Sequence, residues 1–247
     1  MKNMILADVE RILKKKSFWI VFIIPCILAV LYALATLGDH AGGFYFATLE
    51  VNRFVMLPNL LFGISIFLGV YGDEFRSKSM QAMIGRGISR TKIVLVKFID
   101  SLLLTAFLYG MFMLLLFALS IVFFGGLGVL EAKAMYLSIA FCGLKMIGIS
   151  SAATVVIFLT GNVPVSVMTV IVLNISSLIL RGIAVFSEPL QKLRPERYFF
   201  GGIIDRIYTD LMLDQPVGVI WILTAAAYIA AAVFLSVVIF RGKELEF

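Results

Sequence analysis

Histidine and cysteine are nearly missing from the sequence. His40 is the only histidine, and the two cysteines, Cys26 and Cys142, each lie inside an apolar run without a CxxC pairing. A zinc site needs clustered histidine and cysteine ligands, and a disulfide framework needs several cysteines at regular spacings. The sequence therefore predicts neither a metal site nor a disulfide, and we expect both cysteines to be buried, inert thiols.

Charged residues are also scarce. They make up 15% of the 247 residues, while 62% are hydrophobic and the mean hydropathy is +1.06. Soluble domains average about 25% charged residues. The net charge of +6 forms no basic surface interleaved with aromatic residues, so we expect no nucleic-acid partner. The composition predicts an all-α integral membrane protein surrounded by lipid.

Long apolar runs divide the chain into six predicted transmembrane helices. A span needs about 20 mainly apolar residues to cross a hydrocarbon core of about 30 Å. Charged residues, glycines and prolines mark where the runs end. The whole chain, 1–247, is then a single membrane domain. The predicted spans are 18–37, 56–71, 94–124, 136–160, 165–186 and 217–240.

Segments outside these spans also show helical spacing of apolar residues. Residues 1–16 predict an amphipathic helix lying in the membrane interface. The loop 72–92 predicts a short helix over 74–84 that ends at two glycines, after which Ser89 caps the next helix. The second long loop, 187–216, predicts an amphipathic helix on the extracellular surface.

Lysine and arginine lie mainly on one side of the predicted spans. Thirteen fall in the N-terminal segment, the loop after span two and the C-terminal tail, whereas six fall in the loops of the opposite side. Cytoplasmic loops of membrane proteins carry an excess of these residues. We therefore expect both termini in the cytoplasm. The same rule could also explain the individual charges of the 76–97 region as topology signals alone.

The residues after span two resemble the permease subunits of ABC-2 type transporters, the exporter family that includes bacterial antibiotic-resistance and bacteriocin-immunity systems. That family tends to place a glutamate at the end of span two, then a short helix, a Pro-x-Ser-Arg stretch and a lysine that opens span three. Here those positions read Glu74, residues 75–84, Gly87-Ile88-Ser89-Arg90 and Lys97. Gly87 replaces the usual proline, and Lys78-Ser79 stands where a Gly-Thr pair is common.

The resemblance implies that this chain works with a separate motor. Residues 74–90 would form a coupling helix docked on an ATPase subunit, in a complex of two permease copies and two ATPases in a bacterial plasma membrane. ATP and Mg²⁺ would bind the partner. This chain would be a non-enzymatic transport subunit without a cofactor, since it has no Gly-x-x-x-x-Gly-Lys-Ser/Thr sequence. The residues implied for the ATPase interface are Glu74, Phe75, Lys78, Met80, Met83, Ile84, Arg86, Ser89 and Arg90.

Polar residues inside the spans are a second set of candidates. A charge near the bilayer centre costs about 2.5–3.5 kcal/mol on insertion scales. Lys145 lies about 14 Å inside the predicted span four, so it could meet an anionic substrate group, pair with an acid, or bind helix carbonyls. Asn174 and Ser177 could line the same substrate pathway or pack between helices. Asp100 is expected to pair with Lys97 one turn away.

Two other function classes stay open at the level of sequence. A self-sufficient secondary transporter or channel would use Lys145 as its functional charge, although no span has an unwound, glycine-rich centre. An intramembrane enzyme would need paired catalytic groups at depth, whereas His40 and most acids lie outside the predicted spans. The apolar spans suit an amphipathic or hydrophobic substrate, such as a peptide, an antibiotic or a lipid. Outward transport is implied only by the resemblance.

Overall fold

The fold is a bundle of helices. The computed structural model describes residues 2–37, 46, 56–77, 79–185 and 195–243, and every regular element among them is helical, which confirms the all-α prediction there. Lys78, nearly all of the segment 38–55, and residues 187–194 of the predicted loop 187–216 lie outside these residues. The helices are α1 (Lys2–Leu13), α2 (Lys16–Thr36), α3 (Met56–Phe67), α4 (Asp73–Arg76), α5 (Ser79–Gly85), α6 (Arg90–Phe124), α7 (Val129–Thr160), α8 (Val163–Val185), α9 (Phe200–Met212) and α10 (Val219–Gly242).

Four of these helices are long and apolar enough to cross a membrane. They are α2, α6, α7 and α10, whose best windows have mean hydropathies of 2.6, 2.5, 1.8 and 2.5. Because lipid offers the backbone no hydrogen-bond partners, apolar helices of this length are typical of a membrane-embedded, multi-pass protein. The α3 helix is shorter, with 12 residues, and continues into a five-residue π-helical turn, Leu68–Gly72.

Helix α7 begins earlier than its predicted span, at Val129 rather than 136. Helix α6 begins at Arg90, directly after the predicted cap Ser89, so its first turn precedes the predicted span 94–124. At the start of α7, the backbone N–H of Gly128 donates a hydrogen bond of 2.7 Å to the Glu131 carboxylate, which caps the helix. The predicted span begins only at 136, because Glu131 and Lys133 are charged. A helix that projects beyond its apolar segment can carry such charges.

Helix α7 forms the centre of the bundle. Of its most apolar window, 56% is buried inside the protein, against 28%, 33% and 17% for α2, α6 and α10. Phe158, near its C-terminal end, packs against the rings of Tyr71, Phe75 and Phe240, with ring centroids 6.2, 5.7 and 4.7 Å apart. These four aromatic residues join α7 to the segment after α3 and to the end of α10.

Helix α9 lies lengthwise against α7 instead of forming a separate surface helix. The Ser138 and Tyr208 hydroxyls are 3.1 Å apart, and Lys133 bonds Asp214 at 2.5 Å, so the two helices run antiparallel. The predicted amphipathic pattern is confirmed, because the apolar face of α9 is at most 6% exposed. The residues of that face are Phe200, Ile203, Ile204 and Ile207.

Gly148→Ala should loosen α9 from α7. A Cβ atom at position 148 would overlap the Cε1 and Cζ atoms of the Phe200 ring, which is only 5% exposed. Overpacking of this kind typically lowers stability by about 1–3 kcal/mol. We expect a lower thermal unfolding temperature in detergent and faster proteolysis of α9. Gly110→Ala is the matched control, because a Cβ there meets nothing within 4 Å. Equal losses in both variants would contradict this packing.

Candidate functional site

The coupling segment, defined as residues 73–90 and containing the predicted coupling helix 74–90, folds against one end of the bundle. It contains two short helices, α4 and α5, and not the single helix predicted over 74–84. The chain leaves α4 at Ser77, whose N–H bonds the Asp73 carbonyl at 2.9 Å. The predicted glycine stop is confirmed, because α5 ends at Gly85 and Gly87 adopts a left-handed φ of 82°. Ser89 stands at the N-cap of α6 with extended backbone, but its side chain makes no capping bond.

A cluster of five charged side chains connects the bundle-facing side of this segment to α1 and α6. The cluster consists of Asp8 and Arg11 from α1, Glu74 from α4, and Lys97 and Asp100 from α6. The Lys97 ammonium donates to Asp8 Oδ2 at 2.6 Å and to Glu74 Oε1, and Arg11 donates to the same Oε1 at 3.0 Å. Lys97 is 0% exposed and Glu74 is 3% exposed. One buried carboxylate therefore joins α1, α4 and α6.

The charge cluster contains more acids than bases. Lys97 and Asp100 form the predicted ion pair, at 3.8 Å between Nζ and Oδ2, which is too long for a hydrogen bond. Among the described residues, both Asp100 carboxylate oxygens and Glu74 Oε2 are buried without a hydrogen-bond partner. Burial raises the pKa of Glu74, and the attraction of Lys97 opposes this only in part. With three carboxylates and two cations, one bound proton would make the cluster neutral.

The stability of the protein should increase on mild acidification because of Glu74. Its pKa is raised in the folded protein, so the folded state holds a proton at a pH where the unfolded state has released it. As the pH falls from neutrality towards about 4.3, the pKa of a free glutamate, the wild type should gain stability relative to Glu74→Gln. Thermal unfolding of both proteins across this pH range measures the difference. A wild type that loses stability relative to the variant would contradict the sign of the shift.

The side chains implied for an ATPase interface separate into an inner and an outer set. Glu74 and Met80 are buried, at 3% and 5% exposure. Phe75, Met83 and Ile84 are half-buried and pack on the apolar core. The amphipathic face of this segment is therefore directed towards its own bundle. The exposed residues of α5 and of the turn that follows it are Ala82, Gly85, Arg86, Gly87 and Ser89, and they form the outer surface there.

Arg90 connects the coupling segment to the C-terminal end of α10. Its guanidinium donates to the carbonyls of Phe240, Arg241 and Lys243 at 2.9, 3.0 and 2.5 Å. These are carbonyls that a helix end leaves without intrahelical partners. The Lys243 ammonium in turn donates to the Phe158 carbonyl at 3.3 Å, near the end of α7. The start of α6 and the ends of α7 and α10 thus lie together, and Arg90 binds this chain's own backbone.

The two polar positions in the long helices have different partners. The Lys145 ammonium of α7 bonds the Asp205 carboxylate of α9, and their side chains are 25% and 36% exposed. Of the three roles open to Lys145 from sequence, pairing with an acid is the one that the structure contains. Asn174 accepts a hydrogen bond of 3.2 Å from Asn59, whose own amide oxygen accepts from the Tyr109 hydroxyl. The side chain of Ser177 lies outside the described part of the chain.

The sequence did not predict Asp8 and Arg11 as functional-site residues. They lie on α1, where the pattern indicated only a surface helix, although Asp8 stands between apolar Ile5 and Ile12. An acid bordering the apolar face of an interfacial helix is the signal that could have identified them. No known protein-family model matches this sequence, and no match to a curated protein is found. The functional assignment therefore depends on the geometry and chemistry of these residues.

Proposed function

We propose that this chain is the permease subunit of an ATP-driven exporter, with six transmembrane helices and both termini in the cytoplasm. Four of the six spans would be the long apolar helices. The other two would be α3 together with its π turn, and α8. The bundle end that holds α1, the coupling segment and the end of α10 is also the end richest in lysine and arginine. Such a bias supports a cytoplasmic position for this end.

The coupling segment is the observation that supports this proposal best. On its inner side, the charge cluster joins it to α1 and α6. Phe75 contacts the Phe158 ring of α7, and that ring contacts Phe240 of α10. A displacement applied to the outer side would therefore reach four helices through buried contacts. This arrangement suits a segment that transmits movement from a separate subunit to the helices more than it suits a simple loop between two spans.

The outer surface of this segment is cationic and rich in exposed backbone. Arg86 is exposed between two glycines, and the structure gives it no ion pair among the described residues. Such a tip suits an acidic cleft on a partner, because opposite charges steer and orient an interface. The proposed partner is an ATPase subunit that binds ATP and Mg²⁺ itself. Two such subunits would act with two copies of this chain and export an amphipathic or hydrophobic substrate.

The environment of Lys145 bears on the alternative function. A self-sufficient transporter or channel would need this charge for ion or substrate coupling. Its ion pair with Asp205 neutralises it inside the chain, so the position needs no additional ligand. This pairing favours the ATP-driven function over the alternative.

Co-purification with candidate ATPases tests the proposed function. The chain is co-expressed with each P-loop ATPase encoded beside it, and the complexes are isolated in detergent. We expect a stable complex of two permeases and two ATPases, whose ATP hydrolysis differs from that of the ATPase alone. Transport by the purified chain in vesicles without any ATPase would contradict the proposal.

A further inference from the structure

A cavity of about 270 Å³ opens beside the coupling segment. It lies between the first turns of α2, the exposed side of α3 and the π turn, and it is separate from the five residues of the charge cluster. One end of the cavity carries Lys15, Asp73 and Arg76. The opposite wall is apolar and includes Val21, Leu61 and Ile64. The cavity is therefore amphipathic along its length.

The polar end of the cavity has an excess of positive charge. The Lys15 ammonium is paired with the Asp73 carboxylate, which leaves the charge of Arg76 uncompensated. The Arg76 side chain is exposed and has no hydrogen bond or ion pair within the described part of the chain. Ser17 also lines the cavity. The planar guanidinium of an arginine matches the oxygens of a phosphate group.

The apolar wall continues along the surface of α2. Ile24 and Leu31 follow Val21 on the same helix face, at 43% and 56% exposure. Since α2 is one of the helices able to cross a membrane, this face can contact lipid chains, while Lys15 and Lys16 stand where the helix begins. Basic residues at the end of a span lie near the headgroups of the bilayer. A phosphate bound at Arg76 would thus have its apolar chains beside α2.

We propose that this cavity binds an anionic phospholipid, with the phosphate at Arg76 and an acyl chain against Val21, Leu61 and Ile64. This site depends on the membrane embedding of the chain and not on the proposed exporter function. Two other occupants match the cavity less well. A second copy of this chain would provide no anion for the cationic end, and inorganic phosphate would not cover the apolar wall.

Lipid titration followed by native mass spectrometry tests this site. The purified full-length chain is exchanged into detergent and titrated with phosphatidylglycerol or phosphatidylcholine. We expect preferential retention of phosphatidylglycerol, and a loss of affinity of about fivefold in Arg76→Gln, as for the removal of one cation near an anionic headgroup. Arg76→Lys should recover part of the affinity. Leu61→Trp, which fills the apolar wall, should weaken retention while the cationic end stays intact.

Arg86→Gln is the matched control, because Arg86 is an exposed arginine of the same segment outside the cavity. It should retain phosphatidylglycerol as the wild type does, and thermal unfolding confirms that each variant is folded. Equal affinities for the two lipids, or equal losses in Arg76→Gln and Arg86→Gln, would overturn the proposal. Displacement of the lipid by inorganic phosphate at the same concentration would overturn it as well.

Discussion

Lys97→Met should lower the free energy of unfolding by about 3–5 kcal/mol, the usual loss when one partner of a buried ion pair is removed. The Lys97 ammonium is fully buried and bonds both Asp8 and Glu74. Without it, Asp8, Glu74 and Asp100 would share Arg11 as the only cation of the cluster. An interior solvates ionised carboxylates poorly, so α1 and α4 should detach from α6. Thermal unfolding in detergent and proteolysis of α1 measure this effect.

Removing acids together with the lysine should restore stability. Glu74→Gln and Asp100→Asn, combined with Lys97→Met, leave Asp8 and Arg11 as a balanced pair, and these lie 3.6 Å apart. Lys92→Met is the matched control, because it removes a lysine of the same helix outside the charge cluster. A Lys97→Met protein as stable as the wild type would show that the cluster does not hold the three helices together.

Arg86→Glu should strongly weaken the binding of the proposed ATPase partner while this chain itself stays as stable as the wild type. Arg86 is exposed at the tip of the coupling segment, so its replacement disturbs no buried contact. Opposing like charges at an interface cost several kcal/mol, which predicts a loss of affinity of about a hundredfold or more. The affinity is measured with the purified ATPase and the permease in detergent.

A second charge reversal distinguishes specific binding of the ATPase at Arg86 from electrostatic attraction by the net charge of this end of the bundle. Lys14→Glu reverses an exposed cation that directly follows α1 and pairs with Glu10, at the same end of the bundle but outside the coupling segment. We expect it to reduce ATPase binding only slightly, and more so at low salt. Equal losses in the two variants would show that the ATPase responds to net charge and not to the tip of the segment.

Features that depend on neighbouring residues could be predicted from the sequence. The left-handed Gly87 ends the helical stretch, because a residue without a Cβ adopts this conformation easily. The apolar face of α9 follows from helical spacing alone, and the structure buries it. The start of α7 was placed several residues late, because hydropathy marks the apolar part of a helix and not its projecting end.

The partners of the charged residues could not be predicted in this way. Glu74 and Lys97 are 23 residues apart, Lys145 and Asp205 are 60 apart, and Arg90 and Phe240 are 150 apart. Such pairs form only when the helices pack, and one sequence does not fix that packing. Helical spacing also defined the apolar face of the coupling segment without indicating what covers it. The structure turns Met80 towards the bundle, so the surface that we propose for a partner is the opposite side.

Site-specific crosslinking at position 86 determines whether the outer side of the coupling segment contacts a separate ATPase. A photo-crosslinking amino acid replaces Arg86 in intact cells, and a second strain carries it at Ile222, an exposed residue of the long apolar helix α10. We predict that position 86 gives an adduct with a polypeptide that contains a P-loop, and that position 222 does not. Adducts at position 86 with lipid alone, or with the same proteins as position 222, would contradict the account.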